Sequence, residues 1–270
     1  MIKKFSITEE ITVKDYLAQH ISGALLKRLT QDDLVFVNDQ MVYNYYVMKP
    51  GDVLQIVIPS VKTNVKAMKA SIDILYEDDY LIILRKPNDL ATIPTRKHYE
   101  NSLANYLAYY YITKGIASGI HFYSRLDFAT SGIILAAKDI YTLDLLNKTK
   151  ITKKYLALIK GAINDQTVTT KIVKDPTSLI KRMNVEGNNA TTVFKTIKKM
   201  DDVSLVEATL KSGKTHQIRL HVNYLNSYVI GDELYGESAD FLHLHSFYLS
   251  FIHPITKKEI EIINYPKWAK

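Results

Sequence analysis

The sequence predicts an α+β protein with a mixed sheet, built as two units. Strand-like and helix-like segments both occur, but they do not alternate regularly, which argues against a doubly wound parallel sheet. The 270 residues exceed one average domain. A polar, basic stretch at 59–70, PSVKTNVKAMKA, interrupts the apolar patterning and reads as a linker. The expected division is 1–60 for a small α/β module, 61–70 for the linker and 71–270 for the larger unit.

The elements follow in order. Thr12 can cap a helix through His20, and Ser22 a second through Thr30, because a hydroxyl there accepts a free amide of the first turn. Leu34 to Val37 reads as a strand ended by the turn Asn38-Asp39. Pro50-Gly51-Asp52 is a second turn, and Val53 to Ile58 alternates with period two. In the larger unit, Ile72 to Leu75 and Tyr80 to Leu84 read as strands around an acidic turn. Ser102 can cap a helix that ends at Gly115. Ile133 to Ala137 is a continuous apolar run, hence a buried strand, and Asp139 can cap the helix after it. Tyr155 to Ile159 alternates, and Val203 to Leu210 is a further strand. Gly213-Lys214-Thr215 is expected to cap a helix bearing Ile218, Val222 and Leu225.

Composition narrows the function. Apolar residues make up 47% of the chain, as in an ordinary globular protein. Cys is absent, which removes disulfides, thiolate metal sites and a cysteine nucleophile. Residues 1–10 hold no apolar signal segment, and no run of about 18 apolar residues occurs. The expectation is a soluble, cytoplasmic protein without a membrane partner. The net charge is +7, which points to an anionic partner, most often nucleic acid. Residues 148–200 hold 12 Lys and Arg against three acidic residues, whereas residues 1–60 are net −1. The basic stretch is interleaved with Tyr155, Met183 and Phe194 and reads as a polyanion-binding face.

Several chemistries find no motif. Neither phosphate-cradling glycine pattern occurs, so no nucleotide cofactor is expected. His243 and His245 would share a strand face, as two metal ligands can, but no carboxylate or thiolate stands at a matching spacing. No metal is expected.

One segment concentrates chemistry: Arg125-Leu126-Asp127-Phe128-Ala129-Thr130-Ser131-Gly132, followed by the apolar strand. A turn of small residues can aim the carboxylate into a cleft while the strand anchors it. Three further blocks lie downstream. They are Lys153-Lys154-Tyr155-Leu156-Ala157-Leu158, then Gly213 to His221 (GKTHQIRLH) with Gly231 to Gly236 (GDELYG), and His243-Leu244-His245 with His253-Pro254. Together these blocks resemble the RluA-type pseudouridine synthase family, over about residues 72–265. Residues 11–58 are similar to an S4-type RNA-binding module through Val35-Phe36-Val37-Asn38 and Gly51-Asp52.

The resemblance implies a pseudouridine synthase catalytic domain preceded by an S4-like module. It implies isomerisation of uridine in structured RNA, with no cofactor. It assigns Asp127 to act at the sugar as nucleophile or base, Arg219 to partner it, and Tyr155 to stack on the base and help remove the C5 proton. The target base is expected to leave its stack. Candidate RNA contacts are Lys27, Arg28, Arg125, Lys153, Lys154, Lys181, Arg182, Lys214 and His216. Ribosomal RNA is the favoured substrate, transfer RNA the alternative, and a monomer is expected. Two other functional classes compete: a non-catalytic RNA-binding assembly factor or chaperone, and a metal-dependent hydrolase. The chain departs from the family pattern at four places. Ser124 stands where many members have His. Lys86-Pro87-Asn88-Asp89 lacks its glycine, Leu225-Asn226-Ser227-Tyr228 lacks Gly and Pro, and Asn38-Asp39-Gln40 lacks Gly-Lys.

Overall fold

The N-terminal elements are β1 (Ile2–Ser6), β2 (Ile11–Thr12), α1 (Val13–His20), α2 (Gly23–Gln31), β3 (Val35–Val37), β4 (Gln40–Met41), β5 (Val47–Met48) and β6 (Val53–Val57). The computed structural model describes residues 1–59 and 63–269. Residue 60 and linker residues 61 and 62 lie outside the described residues. Thr12 and Ser22 cap α1 and α2 as the sequence predicts, each accepting from the amide three residues on. The sheet order is β1-β6-β3-β4. β6 therefore lies inside the sheet, and Leu54, Gln55 and Ile56 are buried in succession, so the expected alternation does not hold.

The larger unit continues with β7 (Asp73–Glu77), β8 (Leu81–Lys86), α3 (Leu103–Lys114), β9 (His121–Phe122), β10 (Ser131–Ala137) and α4 (Ile140–Lys148). It ends with β11 (Thr152–Lys160), β12 (Gln166–Lys174), β13 (Arg182–Lys199), β14 (Val203–Leu210), α5 (Gln217–Tyr224), β15 (Leu244–Ile252) and β16 (Glu259–Ile263). One mixed sheet runs β12-β13-β14-β11-β15-β10-β8-β7, with β16 on β15 and β9 on β10. Among the described strands only β10 and β15 pair in parallel, through Ser131–Gly132 and His245–Ser246. The α+β expectation is met. Leu103, Leu107 and Tyr111 of α3 and Ile218 and Val222 of α5 bury one face against Ile82, Ile134 and Ala157. Leu146 of α4 buries the other against Leu81, Ile83 and Leu135. With both faces covered, β10 is buried at every residue.

Three local expectations need correction. Tyr155, Leu156 and Ala157 are buried in succession, because β11 lies between β14 and β15 and a bulge interrupts its pairing with β15 at Lys154/Tyr155. Gly213-Lys214-Thr215 does not cap α5. The cap residue is His216, in the left-handed region at φ 59° and without a side-chain cap bond. Gln217 instead ties the turn by accepting the Lys214 amide at 3.0 Å. Residues 63–70 are not a free linker: Met68 donates to the Asn105 carbonyl at 3.1 Å, and the Asn105 amide group donates to the Lys66 carbonyl at 2.8 Å.

The two units are packed together through α4. Tyr141 joins the N-terminal cluster beside Val13 and Leu17. Asp144 accepts the Ser22 amide at 2.9 Å and also its hydroxyl.

Candidate active site

Asp127 sits on a loop before β10 whose backbone is held residue by residue. Four consecutive carbonyls find donors. Leu126 accepts from the Thr92 hydroxyl (2.8 Å), Asp127 from the Thr130 amide (3.1 Å), Phe128 from Lys86 Nζ (3.0 Å) and Ala129 from Asn88 Nδ2 (2.6 Å). Leu126 is anchored in the main core. Ser131 Oγ pairs with His245 Nδ1 at 2.8 Å. Gly132 is required: its φ is +116°, and a Cβ would fall 2.3 Å from the Ser246 carbonyl where β10 meets β15. The carboxylate itself stays 26% exposed, facing the cleft.

Lys86, which sequence reasoning passed over, is fully buried. Its Nζ also donates to Pro87 (2.9 Å) and Leu90 (2.8 Å), so all three ammonium protons are used on carbonyls. Burial pushes its pKa down to about 7, against the pull of Asp127 and Asp89.

The opposite wall is electrostatic. Arg219 is buried and forks onto Asp232, Nε to Oδ2 at 2.7 Å and Nη2 to Oδ1 at 2.6 Å. Its remaining nitrogen, Nη1, stands 4.0 Å from Asp127 Oδ2. Burial opposes the charge on Arg219, but the hydrogen bond and charge of Asp232, then Asp127, hold its pKa above the usual value. Asp232 was not singled out in the sequence. Its neighbour Gly231 could have been a signal, since a Cβ there would meet the Phe241 carbonyl at 1.9 Å.

His216 Nε2 also stands 4.0 Å from Asp127 Oδ2, and its Nδ1 lies 2.8 Å from the Tyr235 hydroxyl. That hydroxyl already accepts the Arg182 amide at 2.8 Å. The arrangement that satisfies both atoms has Tyr235 donating to Nδ1, which puts the ring proton on Nε2, facing Asp127. Burial lowers the His216 pKa, with Asp127 opposing and Arg219 and Arg182 assisting. Tyr155 is buried beside the same cleft, and burial pushes its phenol up to about 12.

The cleft encloses about 1460 Å³, above the roughly 300–1,000 Å³ of a small-molecule pocket. Arg125, Lys153, Arg182, Lys214, His216 and Arg219 line it with Asp127 and Tyr155. Arg96 and Lys97, which no sequence motif marks, line it too. Lys27, Arg28, Lys154 and Lys181 do not. Lys154 projects from the other face of β11, onto Glu207 at 3.2 Å and over the Tyr248 ring. The basic stretch 148–200 therefore reaches the cleft only through Lys153 and Arg182. Lys171, Lys174, Lys195, Lys198 and Lys199 sit exposed on the β12–β13 hairpin. His243 and His245 have separate partners, Phe241 and Ser131. Among the described residues no three His, Asp or Glu side chains gather to hold a metal.

Residues 80–224 match the family model for RNA pseudouridylate synthase. The chain belongs to this family. An uncharacterized RNA pseudouridine synthase of Bacillus subtilis, YjbO, is 35% identical over 268 residues, covering 93% of each chain. Ribosomal large subunit pseudouridine synthase C of Vibrio cholerae is 29% identical, covering 90% of this chain and 85% of its own. The structure of human RNA pseudouridylate synthase domain containing 1 shares the fold, at TM-score 0.59 and 24% identity, over 74% of this chain and 86% of that one. The protein is thus an RNA pseudouridine synthase, an isomerase, as the motif blocks imply. No helix among the described residues is long and apolar enough to cross a membrane.

Three of the four departures from the family pattern, all but Ser124, have a common structural answer. Asp89 takes φ 54°, Asn226 φ 56°, and Asn38 and Asp39 φ 51° and 65°. Each adopts the left-handed backbone that glycine favours, and Asn and Asp tolerate it best among other residues.

Proposed function

We propose that this synthase modifies uridine in ribosomal RNA and that Asp127 is the carboxylate acting at the sugar. The observation that carries the reading is the partly exposed Asp127 carboxylate, faced at 4.0 Å by both Arg219 and His216 in a cleft of about 1460 Å³ lined by further cations. The N1–C1′ bond breaks, the base turns, and C5 joins C1′; the C5 proton is lost and N1 gains one, so the reaction is a net isomerisation. Asp127 serves at C1′ as nucleophile or base. Arg219, held charged by Asp232, and the Nε2–H of His216 orient the carboxylate. Tyr155, protonated at neutral pH with a pKa near 12, is a stacking surface for the base and not a ready general base. The uridine leaves its stack to enter the cleft. Arg125, Lys153, Arg182 and Lys214 contact phosphates. The small module at 1–60 serves as an RNA-binding accessory to the catalytic unit at 71–270, and the enzyme acts as a monomer in the cytoplasm. The ribosomal assignment is supported by that accessory module and by the names of relatives such as the Vibrio enzyme.

The test is chemical mapping of pseudouridine in RNA from cells lacking the protein. A site lost from ribosomal RNA and restored by purified enzyme supports the proposal. A site lost only from transfer RNA overturns the substrate, and restoration by Asp127→Asn overturns the role of Asp127.

A further inference from the structure

The N-terminal unit displays three exposed tyrosines, close in sequence, that the cleft does not use. Tyr43, Tyr45 and Tyr46, between β4 and β5, are 64%, 78% and 45% exposed. Met41 and Val47 beside them are exposed as well. Single exposed apolar residues are ordinary, but here five fall within residues 41–47.

The backbone beneath these rings is pinned. The Val13 amide at the start of α1 donates to the Tyr46 carbonyl (3.0 Å), and that of Lys14 to the Asn44 carbonyl (2.9 Å). Tyr46 closes a turn onto Tyr43 (3.0 Å), and Val42 donates to Val35 (3.0 Å). Lys14 Nζ stands over the Tyr45 ring, 5.7 Å from its centroid. The segment is thus a fixed support carrying outward rings, and a ring on a fixed support loses little conformational freedom when something packs on it.

We propose that Tyr43, Tyr45 and Tyr46 form a stacking platform for unpaired bases of the RNA substrate. The proposal rests on the RNA substrate of the family and is independent of the role given to Asp127. Charge favours bases over phosphates as the ligand. Residues 1–60 are net −1, so phosphate attraction is weak there. The carboxylates nearest in sequence, Asp39 and Asp52, are engaged by Gln55 and by Asn38 and the Lys49 amide, and Asp15 on α1 is engaged by Thr12. Aromatic faces accept any base, and neighbouring Lys14 and Lys49 add cations to a contact that stacking dominates. The platform gives this acidic unit a way to hold RNA that a count of Lys27 and Arg28 does not reveal.

The experiment uses the full-length protein carrying Tyr43→Ala, Tyr45→Ala and Tyr46→Ala together, and a second protein with the three Phe replacements. Binding is measured against a labelled single-stranded oligoribonucleotide of mixed sequence and its duplex, over a range of salt. The Ala protein is expected to lose about tenfold or more in single-strand affinity. Its salt dependence should match the wild type, because no counterion-releasing contact is removed. Duplex binding is expected to hold, as is the Phe protein. On RNA substrate KM should rise while kcat stays. Asp127→Asn should bind the single strand as the wild type does, so failure of the catalytic assignment leaves this result intact. Unchanged single-strand affinity in the Ala protein overturns the platform. So does an equal loss on duplex, or a flattened salt slope. Self-association of the wild type that the Ala replacements abolish would assign the tyrosines to a second copy, and also overturns the platform.

Discussion

The two walls of the cleft are held by different physics. The wall carrying Asp127 is a backbone structure: carbonyls 126–129 are each met by a donor, and Gly132 lets β15 approach. The wall carrying Arg219 and His216 is a charge structure, organised by Asp232 and Tyr235. The first fixes where a carboxylate sits, through hydrogen bonds to backbone carbonyls and without an ion pair. The second fixes what charge faces it, which needs a buried ion pair. Such a pair is costly to break, because the surviving partner is left charged and unsolvated.

The comparison can be broken most severely at Asp127. Asp127→Asn should lower turnover by about 10³-fold or more while RNA affinity changes little, by analogy with loss of other nucleophiles. Quantifying pseudouridine by mass spectrometry alongside filter binding checks this. Retained turnover would remove Asp127 from the chemistry.

Next comes the charged wall. Asp232→Asn should destabilise the fold by about 3–5 kcal/mol, the cost of orphaning a buried ion. Combining it with Arg219→Met should restore much of that stability but no activity. Urea denaturation of both proteins is the measurement, and a single variant as stable as the wild type would show that the pair does not matter.

On the backbone wall the effect should be smaller and should depend on pH. Lys86→Met leaves three carbonyls without a donor, at about 1–3 kcal/mol for unsatisfied buried groups. Folding lowers the Lys86 pKa from 10.5 to about 7. Between those values the unfolded chain binds a proton that the folded chain has released, so this group's contribution rises with pH. The stability gap of wild type over Lys86→Met should therefore widen from about pH 6 to about pH 9. A gap that narrows would show that Lys86 does not titrate as its burial dictates.

The smallest effect should come from the left-handed positions. Asp89→Gly and Asn226→Gly relieve a strained backbone but free the unfolded chain, so each should shift stability by no more than about 1 kcal/mol. A loss of several kcal/mol by thermal denaturation would mean that the Asp89 or Asn226 side chain carries a contact beyond its φ.

Much of this molecule was legible one residue at a time. Thr12, Ser22, Ser102 and Asp139 were predicted as caps and all cap helices. Capping is decided within four residues, so local sequence suffices. Asp127, Tyr155 and Arg219 were legible through their blocks, and all three line one cleft. Asp232 and Lys86 also stand in quoted motifs, but neither was read as a site residue, since a carboxylate after a glycine and a lysine before a proline look like surface residues. Arg96 and Lys97 lie in a segment without any motif. The basic stretch misled because a charge run does not say which face of a strand each residue takes.

By itself the sequence determined many of the elements, four of the helix caps and the family, because propensity, capping and motif spacing are properties of neighbouring residues. Tertiary structure alone decided which cations reach Asp127. It did so through the parallel pairing of β10 with β15 and the burial of Asp232 against Arg219, since register and desolvation arise only when distant segments meet.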